Sequence, residues 1–300
     1  MRWTAVVNPT AGRGRTRRML PSLSTALTGT DLEVDIRVAR DVDETRDAAC
    51  DAFAAGRGVI ACGGDGTVSM LAGIAAETGG LLAIMPTGAG NDFARALAIR
   101  RRTPEAAVEV LRTGREVRLD LAKANGRWFT TVANTGFDAE VNRWANGVRH
   151  LSGTALYLAG AARTLAVYRP RSFQVQLDDG PPRAVDAWLL AAGNTPLYGG
   201  GLRIAPHARA DDGMLDLCIV GATSRRAFLA NFPRVFNGTH TRHPAVEILR
   251  ARTITIESRD PCPMNAYASG ELIGPLPARL EAVPAAVRVM VPADWDGTGR

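Results

Sequence analysis

The sequence has almost no lysine, few cysteines and no long apolar segment. Lys123 is the only lysine, so the net charge of +6 rests on arginine. No apolar run reaches the roughly 18 residues that a membrane-spanning helix needs. The four cysteines form no C-x-x-C pair, which argues against a zinc cage or a disulfide framework. The N-terminus resembles no signal peptide, so we expect a cytoplasmic protein.

Two recognition signatures are also missing. The P-loop consensus G-x-x-x-x-G-K-[ST] does not occur, so another type of loop must hold any bound nucleotide. No nucleic-acid-binding module accompanies the arginine clusters at 13–18 and 100–102, and we expect no nucleic-acid partner. These clusters either attract nucleotide or anionic lipid headgroups, or they form an ordinary solvated surface.

Strands and helices alternate in the first part of the chain. Strands are predicted at Trp3–Val7, Leu32–Val38, Gly58–Cys62 and Leu81–Met85. Helices are predicted at Thr16–Leu27, Asp43–Ala55, Val68–Glu77, from Asn91 or Asp92 to Ala98, and from Pro104 to Gly114. This alternation predicts an α/β domain, residues 1–116, built on a doubly wound parallel sheet.

The rest of the chain, residues 117–300, has the pattern of an antiparallel β-rich domain. Asn125-Gly126 and Asp178-Asp179-Gly180 each separate two alternating segments, which predicts two hairpins. Further strands are predicted at Leu215–Val220, Thr253–Glu257, Ala266–Leu272, Arg279–Val283 and Val287–Val291. Helices are predicted at Ala139–Val167 and Arg225–Phe236.

Three loops follow strands of the first domain and share the character of anion-binding loops. They are Asn8–Gly14, Gly63–Thr67 and Thr87–Asp92. Glycine allows backbone N–H groups to approach a phosphate, and the helix that follows attracts negative charge. The carboxyl ends of parallel strands meet at one edge of a sheet, so we expect the loops to converge. The alternative is a tight turn in which Asp65 or Thr67 only caps a helix.

The chain carries seven motifs in this order: Asn8-Pro9-Thr10-Ala11-Gly12, Gly63-Gly64-Asp65-Gly66-Thr67, the stretch from Pro86 to Arg95, Gly193-Asn194, Ala205-Pro206, Asp211-Asp212-Gly213 and the stretch from Gly238 to Pro244. These motifs and their order resemble the diacylglycerol kinase family. The bacterial lipid kinases are most similar, and NAD kinases are more distant relatives. The resemblance implies an NAD kinase-like α/β domain, a β-sandwich domain and an active-site cleft between them.

The resemblance also implies a site for ATP and Mg²⁺. The implied nucleotide contacts are Asn8, Pro9, Thr10, Ala11, Gly12, Arg13, Gly63, Gly64, Asp65, Gly66, Thr67, Val68, Ser69, Gly88, Ala89, Asn91 and Asp92. In this role Asp65 is the catalytic Mg²⁺ ligand, and Arg13 neutralises charge on the transferring phosphoryl group. A helix cap alone is the alternative for Asn91 and Asp92.

A second metal is implied at the Asp-Asp-Gly motif. In bacterial relatives the second aspartate holds a structural Mg²⁺ with nearby carbonyls, which here assigns Asp212 with the carbonyls of Arg209 and Met214. A plain Asp-Gly turn is the alternative.

The general base departs from the family pattern. Relatives carry Asp-Gly-Glu where this chain has Ser269-Gly270-Glu271. Glu271 remains as a candidate base, whereas the hydroxyl of Ser269, with a pKa far above neutral, stays protonated and cannot act as a simple base. Ala89 also replaces a common threonine, and Met70 a common glutamate.

Three functions are therefore open. The protein is a kinase of a lipid or another alcohol with Glu271 or water as base, a non-catalytic nucleotide- or lipid-binding relative, or an enzyme of specialised metabolism that catalyses a different reaction. The stretch from Leu151 to Tyr168 either lines an apolar groove for a lipid tail or packs in the core. We expect any membrane contact to be peripheral, at the inner face. The sequence leaves the oligomeric state open.

Overall fold

The computed structural model describes residues 2–28, 30–99, 103–147, 160, 163–165 and 167–298. The chain folds into two compact units. Unit 1 comprises the residues up to Leu121 together with those from Pro284 onward, and unit 2 is Ala122–Val283. This grouping differs from a single division after residue 116, because the last strand begins in unit 2 and ends in unit 1.

Unit 1 is built on a parallel sheet. Its own strands are β1 (Trp3–Val7), β2 (Val34–Val38), β3 (Gly58–Gly63) and β4 (Leu81–Pro86). They lie in the order β4-β3-β1-β2, with each pair parallel. The C-terminal half of β17 (Ala278–Val291) adds a fifth parallel strand beside β4. The strands β1, β3 and β4 are buried along their whole length, as their continuous apolar runs predict.

The helices of unit 1 connect these strands. They are α1 (Ala11–Thr28), α2 (Val42–Ala54), α3 (Asp65–Thr78), α4 (Asp92–Ala96) and α5 (Pro104–Thr113). The start of α1 was predicted five residues too late, because Gly12 and Gly14 indicated an open turn. Both glycines have positive φ, +59° and +76°, so the first turn of α1 is irregular. The core of this unit includes Trp3, Leu23 and Ile60.

Unit 2 is antiparallel. Its strands are β5 (Arg115–Ala124, shared with unit 1), β6 (Arg127–Phe129), β7 (Val132–Gly136), β8 (Arg171–Leu177), β9 (Arg183–Gly193), β10 (Leu197–Tyr198), β11 (Leu202–Arg203), β12 (Leu215–Gly221), β13 (Val246–Ala251), β14 (Thr253–Ser258), β15 (Asn265–Ala268), β16 (Glu271–Pro275) and the first half of β17. The hairpins at Asn125-Gly126 and Asp178-Asp179-Gly180 are confirmed.

Strand β9 organises unit 2. Its first half pairs with β8, and its second half lies between β7 and β12. Leu190 and Ala192 pack into one hydrophobic core, whereas Leu189 and Ala191 pack into another. This period-2 alternation is expected of a strand that is covered on both faces. The predicted antiparallel β-sandwich is therefore confirmed.

Two predicted strand boundaries were wrong. Ala266–Leu272 is not one strand but the hairpin β15–β16, whose turn residues Ser269 and Gly270 have φ of +47° and +83°. Two central residues with positive φ are the mark of a type I′ turn, for which Asn-Gly or Asp-Gly is the usual sequence signal. In contrast, Arg279–Val283 and Val287–Val291 belong to the single strand β17. Strand β13 was not predicted.

The helices of unit 2 are short. They are α6 (Phe137–Gly147) and α7 (Arg225–Asn231), followed by 3₁₀ segments at Phe232–Asn237 and Thr239–Arg242. Pro233 stands at the point where the predicted helix Arg225–Phe236 changes from α to 3₁₀. Most of the predicted helical stretch beyond Gly147 lies outside the described residues. No helix in the described part of the chain is long and apolar enough to cross a bilayer.

Candidate functional site

Three loops converge at one edge of the unit 1 sheet, as expected. The first follows β1, the second follows β3 and the third follows β4. The Nδ2 atom of Asn8 donates to the Thr67 hydroxyl at 3.0 Å and so joins the first loop to the second. The hydroxyl oxygens of Thr16 and Thr87 lie 2.5 Å apart and join the start of α1 to the third loop.

Asp65 joins the second loop to the third. Its Oδ2 atom accepts from the backbone N–H of Asn91 at 2.7 Å, and its Oδ1 atom accepts from that of Asp92 at 2.6 Å. Asn91 is the N-cap residue of α4 but makes no capping bond with its own side chain. The carboxylate of Asp65 therefore caps α4 from a different loop, and the two loops form one structural element.

Glycine is required where the loops touch. A Cβ atom on Gly88 would lie 2.4 Å from the Cα atom of Gly64, and one on Gly12 would lie 2.2 Å from the carbonyl oxygen of Thr87. Real Cβ contacts are never so short, so the glycines are needed for the close approach of the backbones.

The N-terminus of α3 supplies the donors of this site. The N–H groups of Asp65, Gly66 and Thr67 precede the first intrahelical bond, which Val68 donates to the Gly64 carbonyl at 2.9 Å. Such N–H groups, together with the helix dipole, favour an anion. Gly64, Asp65 and Gly66 are half-buried and accessible. The arrangement therefore fits a phosphate.

The other predicted nucleotide contacts fall into two groups by exposure. Pro9, Thr10, Ala11, Gly12 and Ala89 are exposed or half-buried, whereas Gly63, Thr67, Val68, Ser69, Gly88, Asn91 and Asp92 are buried. Thr10 donates its backbone N–H and its hydroxyl to Asn8 Oδ1, which fixes the first loop. The side chain of Arg13 lies outside the described part.

The predicted Mg²⁺ ligand has a second carboxylate next to it. A Cβ atom on Gly90 would lie 2.5 Å from Asp65 Oδ2 and 3.3 Å from Asp92 Oδ2, so both carboxylates border Gly90. Each oxygen of Asp65 accepts one N–H and retains a lone pair. In the described part of the chain, the buried Oδ1 of Asn91 has no hydrogen-bond partner. This oxygen-rich donor set fits a hard cation such as Mg²⁺.

The predicted structural metal site at Asp212 contains a guanidinium group. Arg250 donates to Asp212 Oδ2 at 2.5 Å and to Asp216 Oδ1 at 3.0 Å, and Met214 donates its backbone N–H to Asp212 Oδ1 at 3.1 Å. The side chain of Arg209 pairs with Asp211. Arg250 supplies the countercharge of Asp212, so a metal ion at this position would have to displace a guanidinium group, and the structural Mg²⁺ site at Asp212 stays a prediction.

Asp216 depends on the same arginine. It is buried, and its Oδ2 atom has no hydrogen-bond partner among the described residues. Burial raises the pKa of this carboxyl above its usual value, while the positive charge of Arg250 acts in the opposite direction. The sequence patterns did not indicate Arg250, since β13 was not predicted.

Ser269 lies in the turn between β15 and β16 and faces a group of donors. Its Oγ atom is 3.3 Å from the backbone nitrogens of Thr130 and Thr131 and 3.1 Å from the Thr131 hydroxyl. These donors would also suit a carboxylate, which accepts several N–H groups well. Sequence reasoning missed both threonines because neither belongs to a recognised motif.

Glu271 lies two residues further on, in an exposed position. Its side chain is 58% exposed, and its Oε2 atom lies 3.7 Å from an Arg127 nitrogen. An exposed pair of this kind contributes little to stability. Glu271 is thus a carboxylate in contact with solvent, held loosely by one arginine.

An apolar pocket in unit 2 was not anticipated. Its void is about 30 Å³, room for a water molecule or two. Tyr198 donates to Asp138 at its wall. His240 also lines the pocket, with Nε2 3.1 Å from the Ile204 carbonyl oxygen and with no partner for Nδ1 in the described structure. Burial lowers the pKa of His240 below its usual value.

A parallel sheet with converging glycine-rich loops, followed by an antiparallel sandwich, defines the protein as a two-unit α/β protein with an edge suited to anions. Comparisons with known proteins specify the family. Residues 2–124 match the diacylglycerol kinase catalytic domain, and residues 131–291 match the YegS C-terminal NAD kinase beta sandwich-like domain. The chain belongs to the diacylglycerol kinase family and is a phosphotransferase that acts on an alcohol group.

Relatives match nearly the whole chain. A diacylglycerol kinase of Mycobacterium tuberculosis is 37% identical over 96% of this chain and 94% of its own length. A probable YegS-like lipid kinase of Chromohalobacter salexigens is 32% identical over 77% of this chain and 72% of its own. The crystal structure of a putative diacylglycerol kinase from Bacillus anthracis, 22% identical, shares the fold with a TM-score of 0.79 over 98% of this chain and 96% of that one.

Proposed function

We propose that the protein transfers the γ-phosphoryl group of ATP to the hydroxyl of a lipid alcohol such as diacylglycerol. The observation that carries this proposal is the three-loop assembly around the N-terminus of α3, in which Asp65 fixes the third loop. The names of the relatives support the choice of acceptor, since the one 37% identical to this chain is a diacylglycerol kinase.

In this proposal backbone N–H groups bind the phosphates, and side chains hold the three loops in position. The N–H groups of Asp65, Gly66 and Thr67 bind the phosphates, while Asn8 and Asp65 hold the loops at the required spacing. Asp65 and Asp92 would hold Mg²⁺, which neutralises phosphate charge when bound. Phosphoryl transfer passes through a loose transition state, so positioning and electrostatics supply most of the catalysis.

Removal of the proton from the acceptor hydroxyl is expected to limit the rate of transfer. Ser269 offers no carboxylate, and Glu271 is exposed. Loss of a general base typically slows a reaction by roughly 10²–10⁴-fold. We therefore expect slow transfer, with Glu271 or water as the proton acceptor.

The Ser269 contacts also favour a second candidate, a nucleotide- or lipid-binding protein without catalysis. In that case the phosphate loops are kept for binding alone, because the hydroxyl of Ser269 satisfies the donors of Thr130 and Thr131 without accepting a proton. A different reaction in the same fold is the third candidate, and loss of ATP binding would distinguish it.

The test measures binding and transfer separately. The purified protein is incubated with Mg²⁺ and γ-labelled ATP and with diacylglycerol in detergent micelles, and labelled lipid phosphate is separated by thin-layer chromatography. A thermal shift with Mg-ATP, together with labelled product, supports the kinase. A shift without product supports the binding protein, whereas the absence of both overturns the proposal.

A further inference from the structure

The outer side of α7 and of the 3₁₀ segment after it exposes large apolar side chains. Leu229 is 58% exposed and Phe236 is 51% exposed. Arg226, Leu229, Pro233 and Phe236 are all exposed and recur at spacings of three and four. Side chains at this spacing share one side of a helical run. We name this surface the α7 face and define it by Arg226, Leu229, Pro233 and Phe236, together with the exposed Arg234 beside Pro233.

The core does not explain these exposed residues, because other residues of the same run fill it. Phe228, Asn231 and Val235 are buried. The Phe228 ring stacks on Trp188 with centroids 4.6 Å apart, and Phe228 and Val235 belong to a core of unit 2. Packing against the core of unit 2 therefore accounts for the inner side chains of this run. It does not account for the apolar side chains that are exposed at the α7 face.

The chain segment that carries the α7 face has charges of one sign. Residues 217–246 contain four arginines, at 225, 226, 234 and 242, and no aspartate or glutamate. Arg225 donates to the Tyr168 carbonyl at 3.2 Å. No acidic side chain in the described part of the chain forms an ion pair with Arg226, Arg234 or Arg242. Elsewhere many arginines are paired, as Arg183 is with Glu247.

We infer that the α7 face docks on the surface of an anionic lipid bilayer. Exposed leucine and phenylalanine side chains insert at the headgroup boundary, and unpaired arginines beside them attract anionic headgroups. The absence of acidic residues from this segment suits a uniformly negative surface better than a protein surface of mixed charge. This inference deepens the proposed function and rests on it, since a lipid acceptor lies in a membrane.

The test is sedimentation with vesicles, which needs no catalysis. The full chain is mixed with vesicles of neutral phosphatidylcholine or of the same lipid with anionic phosphatidylglycerol. We expect binding to the anionic vesicles that weakens as salt is added. Arg226→Gln with Arg234→Gln should reduce the partition coefficient about 30-fold, taking about 1 kcal/mol for each arginine. Leu229→Ser with Phe236→Ser should reduce it comparably.

Matched controls change the same chemistry elsewhere. Arg252→Gln with Arg259→Gln removes two exposed arginines of unit 2, and Val42→Ser removes a valine that is 62% exposed in unit 1. These variants should bind as the original chain does. Equal binding by all variants, equal binding to neutral vesicles, or a dimer through this surface without vesicle binding would each overturn the inference.

A second measurement separates this inference from the proposed function. Phosphoryl transfer to a water-soluble, short-chain diacylglycerol should be unchanged in the α7-face variants, which also shows that they fold. If the original chain binds anionic vesicles but transfers no phosphate to any lipid, the docking surface stands and the proposed kinase fails.

Discussion

The hydroxyl oxygen of Ser269 lies 3.1 Å from that of Thr131, in a turn where the backbone nitrogens of Thr130 and Thr131 also face it. A carboxylate in place of the Ser269 hydroxyl would face these donors and could act as the general base. Ser269→Asp should place a carboxylate among these donors and raise phosphoryl transfer by about 10²-fold or more. Ser269→Asn is the matched control, because it tolerates the same positive φ but cannot accept the proton. Equal rates for the two variants in the labelled-lipid assay would show that the base argument is mistaken.

Asp65→Asn should loosen the phosphate loops. An amide keeps one acceptor oxygen and turns an NH₂ group toward the second backbone N–H, so one charged hydrogen bond is lost and two donors oppose each other. We expect the free energy of unfolding to fall by about 1.5–3 kcal/mol and the Mg-ATP thermal shift to disappear. Asp41→Asn at the start of α2 is the control, because asparagine is an equally good N-cap and stability should hardly change. Urea unfolding with and without Mg-ATP measures both effects.

Arg250→Gln should open the Asp212 region to metal. Without the guanidinium the buried Asp216 loses its countercharge, and we expect a loss of about 1–3 kcal/mol, less than for a fully buried pair because Arg250 is half exposed. Excess Mg²⁺ or Ca²⁺ should then raise the melting temperature of this variant more than that of the original chain, in which Arg250 occupies the position beside Asp212. Arg209→Gln removes an exposed pair with Asp211 and should do neither. A variant that melts identically with and without metal would contradict the expectation.

His240 should make stability depend on pH. Burial lowers its pKa in the folded state, with the Ile204 carbonyl as an opposing hydrogen-bond acceptor, so the unfolded chain binds the proton more readily. Stability is therefore complete above the unfolded pKa near 6.5 and falls as the pH drops through the folded pKa. Each pKa unit by which folding lowers the pKa of His240 corresponds to about 1.4 kcal/mol in the free energy of unfolding.

His240→Gln should flatten the melting temperature between pH 7 and pH 5, measured by circular dichroism. The Cys218 sulfur 3.9 Å away does not compete for the proton, because burial raises the pKa of its thiol. His207→Gln, at an exposed position, is the control for replacing a histidine by glutamine. The expectation fails if both variants follow the original curve.

Much of the fold follows from local patterns in the sequence. The strands β1, β3 and β4 are apolar runs, followed by Asn8-Pro9 or ending in Gly63 and Pro86, and the convergence of their loops follows from the geometry of parallel sheets. Proline and glycine also mark both ends of α5 correctly. Such elements are determined by residues within a few positions of one another.

The remaining features depend on distant partners. The hairpin at Ser269-Gly270 lacks the usual Asn-Gly or Asp-Gly signal, so the pattern of one long strand concealed it. The role of Asp65 as a cap for α4 depends on residues 26 and 27 positions away, and Arg250 reaches Asp212 from 38 positions away. Motifs name the residues of the site, but only packing between strands shows which of them bind one another.

Strand β17 makes the second unit an insertion into the first. Arg288 and Val289 pair with Leu81 and Leu82 of β4, and the Trp295 indole donates to the Ala96 carbonyl at 3.0 Å. A fragment that stops at residue 124, where the match to the catalytic domain ends, would leave β4 as a bare sheet edge and lack that tryptophan. An expressed fragment of unit 1 should therefore retain the C-terminal segment, for example joined through a short linker in place of the excised insert.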